Sequence, residues 1–248
     1  MVIQRLSAFI LIILLTACQS ATAVDTPLPP TATLPPLPTA LPSPTPSAVP
    51  PTAVPTLAPG PRSFTEQFDS DSAYWTFKQV DVGAPFATPS SEGGFLVFDL
   101  TSPNQWVYAL YSLPDYTDVR LDAQVEVRAG EAGTVGIVCR YSEEKGWFEF
   151  NIFADQTYEL LYGQWLAPGL ARYTPLFRGV SEKIRSDANE IGLVCKGSTL
   201  TPFINGVQMR IWQDTRIGLE MGSVGISAAS FASLPYTVAY DWVKVSQP

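Results

Sequence analysis

The sequence predicts an all-β domain, a sandwich or a barrel, over residues 62–248. Three observations carry that expectation. Val119–Arg128 reads as an unbroken apolar/polar alternation, the pattern of a sheet with one wet face. Asn205-Gly206 separates two further strand-like runs and is the strongest short-range hairpin signal in the chain. No window combines sustained helical periodicity with helix caps.

The elements follow in order. Strand-like runs occupy 95–100, 105–113, 119–128, 134–141, 147–154, 157–163, 190–196, 199–204, 207–213, 223–230 and 236–245. Glu143-Glu144-Lys145-Gly146 and Asp155-Gln156 read as turns between them. The stretch 164–189 is the exception. Trp165, Pro168-Gly169, Arg172 and Pro175 break any alternation there, so it reads as a long loop. The 187 residues of the domain suffice for one sizeable core.

Two cysteines fall inside this pattern. In Thr134–Tyr141, Cys139 shares a face with Val135 and Ile137; in Glu190–Lys196, Cys195 shares a face with Ile191 and Leu193. Both thiols therefore point inward. An even number of cysteines in an exported domain suggests a Cys139–Cys195 disulfide, the alternative being two buried free thiols.

Residues 1–17 are the reason to expect export. Arg5 precedes an apolar run from Leu6 to Leu15 broken only by Ser7, the form of a cleavable signal peptide. About ten apolar residues are too few to span the bilayer core. The run ends in Leu15-Thr16-Ala17-Cys18, which resembles the lipobox of bacterial lipoproteins. That resemblance implies cleavage before Cys18 and acylation of its thiol, a palmitate-type membrane anchor outside the cytoplasmic membrane. Residues 18–61 then form the Pro/Thr-rich stalk. From 19 to 61 there are 14 Pro and 8 Thr, and Asp25 is the only charge. Proline removes backbone donors and fixes φ, so this segment is expected to be a disordered, polyproline-like spacer rather than a folded unit. Fully extended it spans about 130 Å at about 3.1 Å per residue.

Composition narrows the function. The net charge of −8 argues against nucleic acid as a partner. The chain has no histidine, which excludes the usual Ser-His-Asp and Cys-His arrangements and imidazole-based zinc sites.

Phe64-Thr65-Glu66-Gln67-Phe68-Asp69, Trp75 and Gly94-Phe95-Leu96-Val97-Phe98 resemble the opening strands of concanavalin A-like (laminin G-like) jelly-roll domains. Asn189–Val194, Phe203-Ile204-Asn205-Gly206, Val224-Gly225-Ile226 and Tyr240-Asp241-Trp242-Val243-Lys244-Val245 are similar, in order and spacing, to the closing half of the keto-disaccharide-hydrolase-like branch. The resemblance covers roughly 64–245. It implies a two-sheet antiparallel jelly-roll sandwich, often with glycan on or beside the concave face.

Retaining glycosidases need two carboxylates about 5 Å apart. On this fold they often lie in a Glu-x-Asp-x-x-Glu strand motif, which is absent here; Glu143, Glu144 and Glu149 have the wrong spacing. Aromatic residues are the better lead, because Trp and Tyr rings cover the CH faces of sugars. Alternation puts Trp147, Glu149, Asn151 and Phe153 on the face opposite Phe148 and Phe150, with Arg140 opposite Cys139. Arg140, Trp147, Asn151, Tyr158 and Tyr162 are therefore expected to form one outward, ligand-binding patch. No cofactor is expected, apart from a calcium ion that the resemblance allows at Asp69, Asp71 and Asp241. The expected partner is a glycan or cell-wall polysaccharide, bound without catalysis. A glycoside-processing hydrolase of the same fold and a structural envelope domain are the alternatives.

Overall fold

The computed structural model describes residues 60–248 except 71–72 and 81–82. The signal peptide, Cys18, the stalk up to residue 59 and Asp71 lie outside the described residues. The described part is a two-sheet antiparallel sandwich. Its strands are β1 (Phe64–Glu66), β2 (Trp75–Val80), β3 (Ser90–Glu92), β4 (Phe95–Leu100), β5 (Trp106–Tyr116), β6 (Val119–Ala129), β7 (Gly133–Ser142) and β8 (Gly146–Phe153). They continue with β9 (Thr157–Ala167), β10 (Leu170–Val180), β11 (Ala188–Lys196), β12 (Thr199–Ile204), β13 (Val207–Gln208), β14 (Trp212–Gln213), β15 (Gly222–Ser230) and β16 (Tyr236–Ser246).

One sheet runs β13-β12-β11-β6-β16-β4-β3, with β1 added to β16 and β14 to β12; the other runs β10-β9-β8-β7-β15-β5-β2. Their facing sides form the main core. Leu121, Ala123 and Val125 of β6 and Ile191 and Leu193 of β11 meet Val135 and Ile137 of β7 and Phe148 and Phe150 of β8. Period two on each strand delivers this without exception along β6, as the alternation predicts.

Covalent and polar ties cross between the sheets. Cys139 on β7 is bonded to Cys195 on β11, with Cα atoms 6.8 Å apart. The Tyr240 hydroxyl of β16 lies within hydrogen-bond distance of the carbonyls of Gly136 (2.9 Å) and Ser227 (2.7 Å) and accepts from the Gly136 amide at 3.1 Å. A buried hydroxyl so engaged satisfies its own polarity while fixing the separation of the sheets.

The expected loop at 164–189 is mostly strand. β9 continues to Ala167, turns at Pro168-Gly169 and returns as β10, which pairs with it along its whole length. Pro175 hides the strand from sequence reading by breaking the alternation, and it coincides with a register shift between Pro175 and Phe177. An edge strand tolerates a proline that a central strand would not. The expected single strand at 207–213 is instead two short pieces, β13 and β14, both paired with β12.

Candidate functional site

The second face of the seven-stranded sheet is not a wet surface. Tyr108 and Leu110 of β5, Val138 and Tyr141 of β7 and Trp147 of β8 form a second buried cluster there, with Trp106, Trp165 and Tyr173 packed against it. The sheet is strongly concave. Four strands separate β10 from β5, which in a flat sheet would put them about 24 Å apart at about 4.8 Å per strand. Yet the rings of Tyr173 on β10 and Trp106 on β5 stack with centroids 4.3 Å apart and planes 20° from parallel. The long β9–β10 hairpin thus arches over the face.

Glu149 lies at the centre beneath that arch and is fully buried. Each carboxylate oxygen receives one indole and one hydroxyl. Trp106 Nε1 (3.0 Å) and Ser227 Oγ (2.6 Å) donate to Oε1; Trp147 Nε1 (3.0 Å) and the Tyr108 hydroxyl (3.0 Å) donate to Oε2. The Tyr173 hydroxyl extends the network to Tyr108 at 2.9 Å. Burial pushes the Glu149 carboxyl above its ordinary range, while the four donors pull the other way. Burial and the neighbouring Glu149 charge raise Tyr108 well above the ordinary tyrosine value.

The expected outer patch does not assemble. Trp147 and Asn151 do sit on the face opposite Phe148 and Phe150, but both are fully buried beneath the arch. Trp147 is enclosed by the rings of Tyr108, Tyr141, Trp165 and Tyr173. Asn151 occupies the space that a Cβ on Gly136 would fill, and neither of its amide atoms has a hydrogen-bond partner among the described residues. Tyr158 and Tyr162 lie on the other face. β8–β9 register pairs Tyr162 with Phe148 and Tyr158 with Ile152, so both rings join the inter-sheet side. A cross-strand partner shares its neighbour's face, and a one-residue slip reverses every assignment.

Arg140 departs from the period altogether. A bulge lies between Cys139 and Ser142, and Arg140 has φ of 55°. The extra residue turns its side chain out of the alternation. Its guanidinium donates to the carbonyls of Thr117 (3.0 and 3.3 Å) and Leu219 (2.7 Å), holding two loops together with only 1 % of the residue exposed. Burial lowers its pKa from the ordinary arginine value.

The acidic turn behaves as read: Glu143 and Glu144 are exposed between β7 and β8, and Glu143 pairs with Lys78 at 2.5 Å. Among the described residues no group of three or more His, Cys, Asp or Glu side chains is placed to hold a metal ion. Asp69 and Asp241 are each exposed. Glu149 is the residue whose importance sequence reading missed. Its signal is a lone carboxylate in the otherwise aromatic and aliphatic Trp147-Phe148-Glu149-Phe150 run.

An open cleft of about 580 Å³ adjoins this aromatic cluster, between β2 and its following loop on one side and the β9–β10 turn on the other. Phe86, Trp165 and Leu166 form its walls, and the Lys78–Glu143 pair lies in it.

Comparison of the sequence with protein families and with curated proteins finds no match. Solved structures share the fold. Carbohydrate binding module CBM66 from Bacillus subtilis superposes with TM-score 0.51 at 11 % identity, over 66 % of this chain and 91 % of that one. A Bacillus subtilis protein of unknown function with a galectin-like fold gives 0.55 at 12 %, over 74 % and 94 %. A Bacillus licheniformis β-glucanase gives 0.53 at 13 %, over 75 % and 98 %. The described domain is therefore a concanavalin A-like, galectin-like jelly-roll sandwich.

Proposed function

We propose that the chain is a bacterial envelope lipoprotein that displays a non-catalytic glycan-binding sandwich on a proline-rich stalk. The observation that carries the non-catalytic half is the state of Glu149. Both of its oxygens are occupied by protein donors and sealed under rings, and none of its partners is a second carboxylate. A glycosidase needs an acid that reaches the glycosidic oxygen and a second carboxylate within about 5–9.5 Å. The jelly-roll fold, shared with a carbohydrate-binding module and with glucanases, supports the glycan-binding half. The Cys139–Cys195 bridge suits an oxidising compartment outside the cytoplasm.

Affinity electrophoresis of the full chain through neutral and anionic polysaccharides tests the reading, with reducing ends assayed in parallel. Retardation by a polysaccharide without release of reducing ends is the expected result. Release of reducing ends would make the chain a hydrolase, and no retardation at all would leave a structural envelope domain. Anchoring is tested separately by labelling cells with a fatty-acid analogue. Incorporation is expected in the wild type and lost in Cys18→Ser; equal incorporation in both would refute the lipid anchor.

A further inference from the structure

The rim of the concave face presents apolar side chains to water in a fixed arrangement. Phe86 is 52 % exposed and Leu166 55 % exposed. Phe86 is held on both sides: Gln79 Nε2 (3.2 Å) and Gln105 Nε2 (3.0 Å) donate to the Pro85 carbonyl, and the Ala87 amide donates to Gln79 Oε1 at 2.8 Å. Across the cleft, Leu166 follows Trp165, whose Nε1 donates to the Tyr141 hydroxyl at 2.8 Å and whose ring packs 5.4 Å from that of Trp147. Both walls are thus tied to rigid neighbours. Walls fixed before binding spare a ligand the entropy of ordering them, and the volume lies in the usual range of about 300–1,000 Å³ for small-ligand sites.

The polar part of the cleft specifies the chemistry. Lys78 and Glu143 neutralise each other at 2.5 Å, and their side chains keep 41 % and 57 % of their exposure. A charged ligand gains no net Coulomb energy there, whereas hydroxyl groups find both donors and acceptors. A pyranose chain with equatorial hydroxyls offers flat CH faces to apolar walls and a hydroxyl edge to the ion pair. We propose that this cleft, rather than the filled centre of the concave face, binds a neutral polysaccharide, with sugar rings against Phe86 and Leu166 and hydroxyls on Lys78 and Glu143. The assignment rests on the glycan-binding reading above and adds the place and the ligand class.

Soluble mixed-linkage β-glucan is the probe, with polygalacturonate as the anionic comparison, both by affinity electrophoresis of the full chain. Phe86→Ala is expected to weaken binding of the β-glucan at least tenfold and Leu166→Ser by several-fold, with melting temperatures unchanged. Phe86→Tyr, which keeps the ring, should bind as the wild type does. Wild-type retardation by β-glucan that survives both Phe86→Ala and Leu166→Ser would overturn the cleft while leaving the glycan reading intact. Retardation by polygalacturonate and not by β-glucan would overturn the neutral class. Retardation by neither, nor by any other polysaccharide, would remove the glycan reading and the cleft with it.

Discussion

Replacing Glu149 by glutamine looks isosteric, yet the geometry makes it a destabilising change. Each carboxylate oxygen accepts from one indole, Trp106 at Oε1 and Trp147 at Oε2. An indole N–H donates and cannot accept. Whichever way the amide is turned, its nitrogen faces an indole N–H, leaving buried donors opposed. An unsatisfied buried donor costs about 1–3 kcal/mol. The hydroxyl beside it, Ser227 or Tyr108, can rotate to accept one amide hydrogen, and a neutral amide avoids the desolvation that raises the Glu149 pKa. The balance is a loss of about 3 kcal/mol, or about 6–12 °C in melting temperature at about 2–4 °C per kcal/mol for a domain of this size. Thermal unfolding followed by near-ultraviolet circular dichroism reads it directly. Trp106→Phe removes one opposing indole. In the Glu149→Gln background it is expected to cost less than in the wild type, a coupling that additivity does not allow. A melting temperature for Glu149→Gln within about 2 °C of the wild type, or additive costs, would refute the donor argument.

Three further outcomes are expected. Because burial raises the folded-state pKa of Glu149 above its ordinary 4.5, the folded protein holds that proton more tightly than the unfolded chain. Its contribution to stability is therefore greatest below pH 4.5 and falls as pH rises through the folded value, so Glu149→Gln should lose this slope in melting temperature as pH rises above 4.5; parallel profiles would contradict it. Trp147→Ala removes a ring that four others enclose and should cost about 3–5 kcal/mol in urea unfolding, where an outward ring would cost almost nothing. Replacing both Cys139 and Cys195 by alanine should cost about 4 kcal/mol for a sequence separation of 56, and the native protein should yield no alkylatable thiol at either position before reduction.

Much of the fold was legible because period two is strict where both strand partners are regular. Val119–Arg128 showed its buried set directly, and the same rule turned Cys139 and Cys195 inward to the bond that joins the sheets. Reading failed where something local overrode the period. A bulge after Cys139 withdrew Arg140 from its expected face, Pro175 masked an edge strand, and the β8–β9 register put Tyr158 and Tyr162 on the other side from Trp147. None of these follows from the residues of one strand alone, because register and bulges belong to pairs of strands.

The more general failure concerns Trp147 and Asn151, whose faces were read correctly and whose environment was not. Alternation tells which side of a sheet a residue occupies but not whether that side meets water. Here the answer depends on curvature and on the length of β9 and β10, which bring Tyr173 over Trp106 across four intervening strands. Once that arch closes, aromatic side chains at the centre of the concave face spend their apolar surface on one another, and Glu149 becomes the polar anchor that holds their indole and hydroxyl groups in register. A large ligand cannot use surface that the protein has already buried. What stays available is the margin of the arch, where the same cluster ends in Trp165 and where Gln79 and Gln105 fix Phe86 in the open. On the proposed reading the buried cluster serves recognition by making one wall of the cleft rigid, so that a ligand at the rim would draw on order that folding has already supplied.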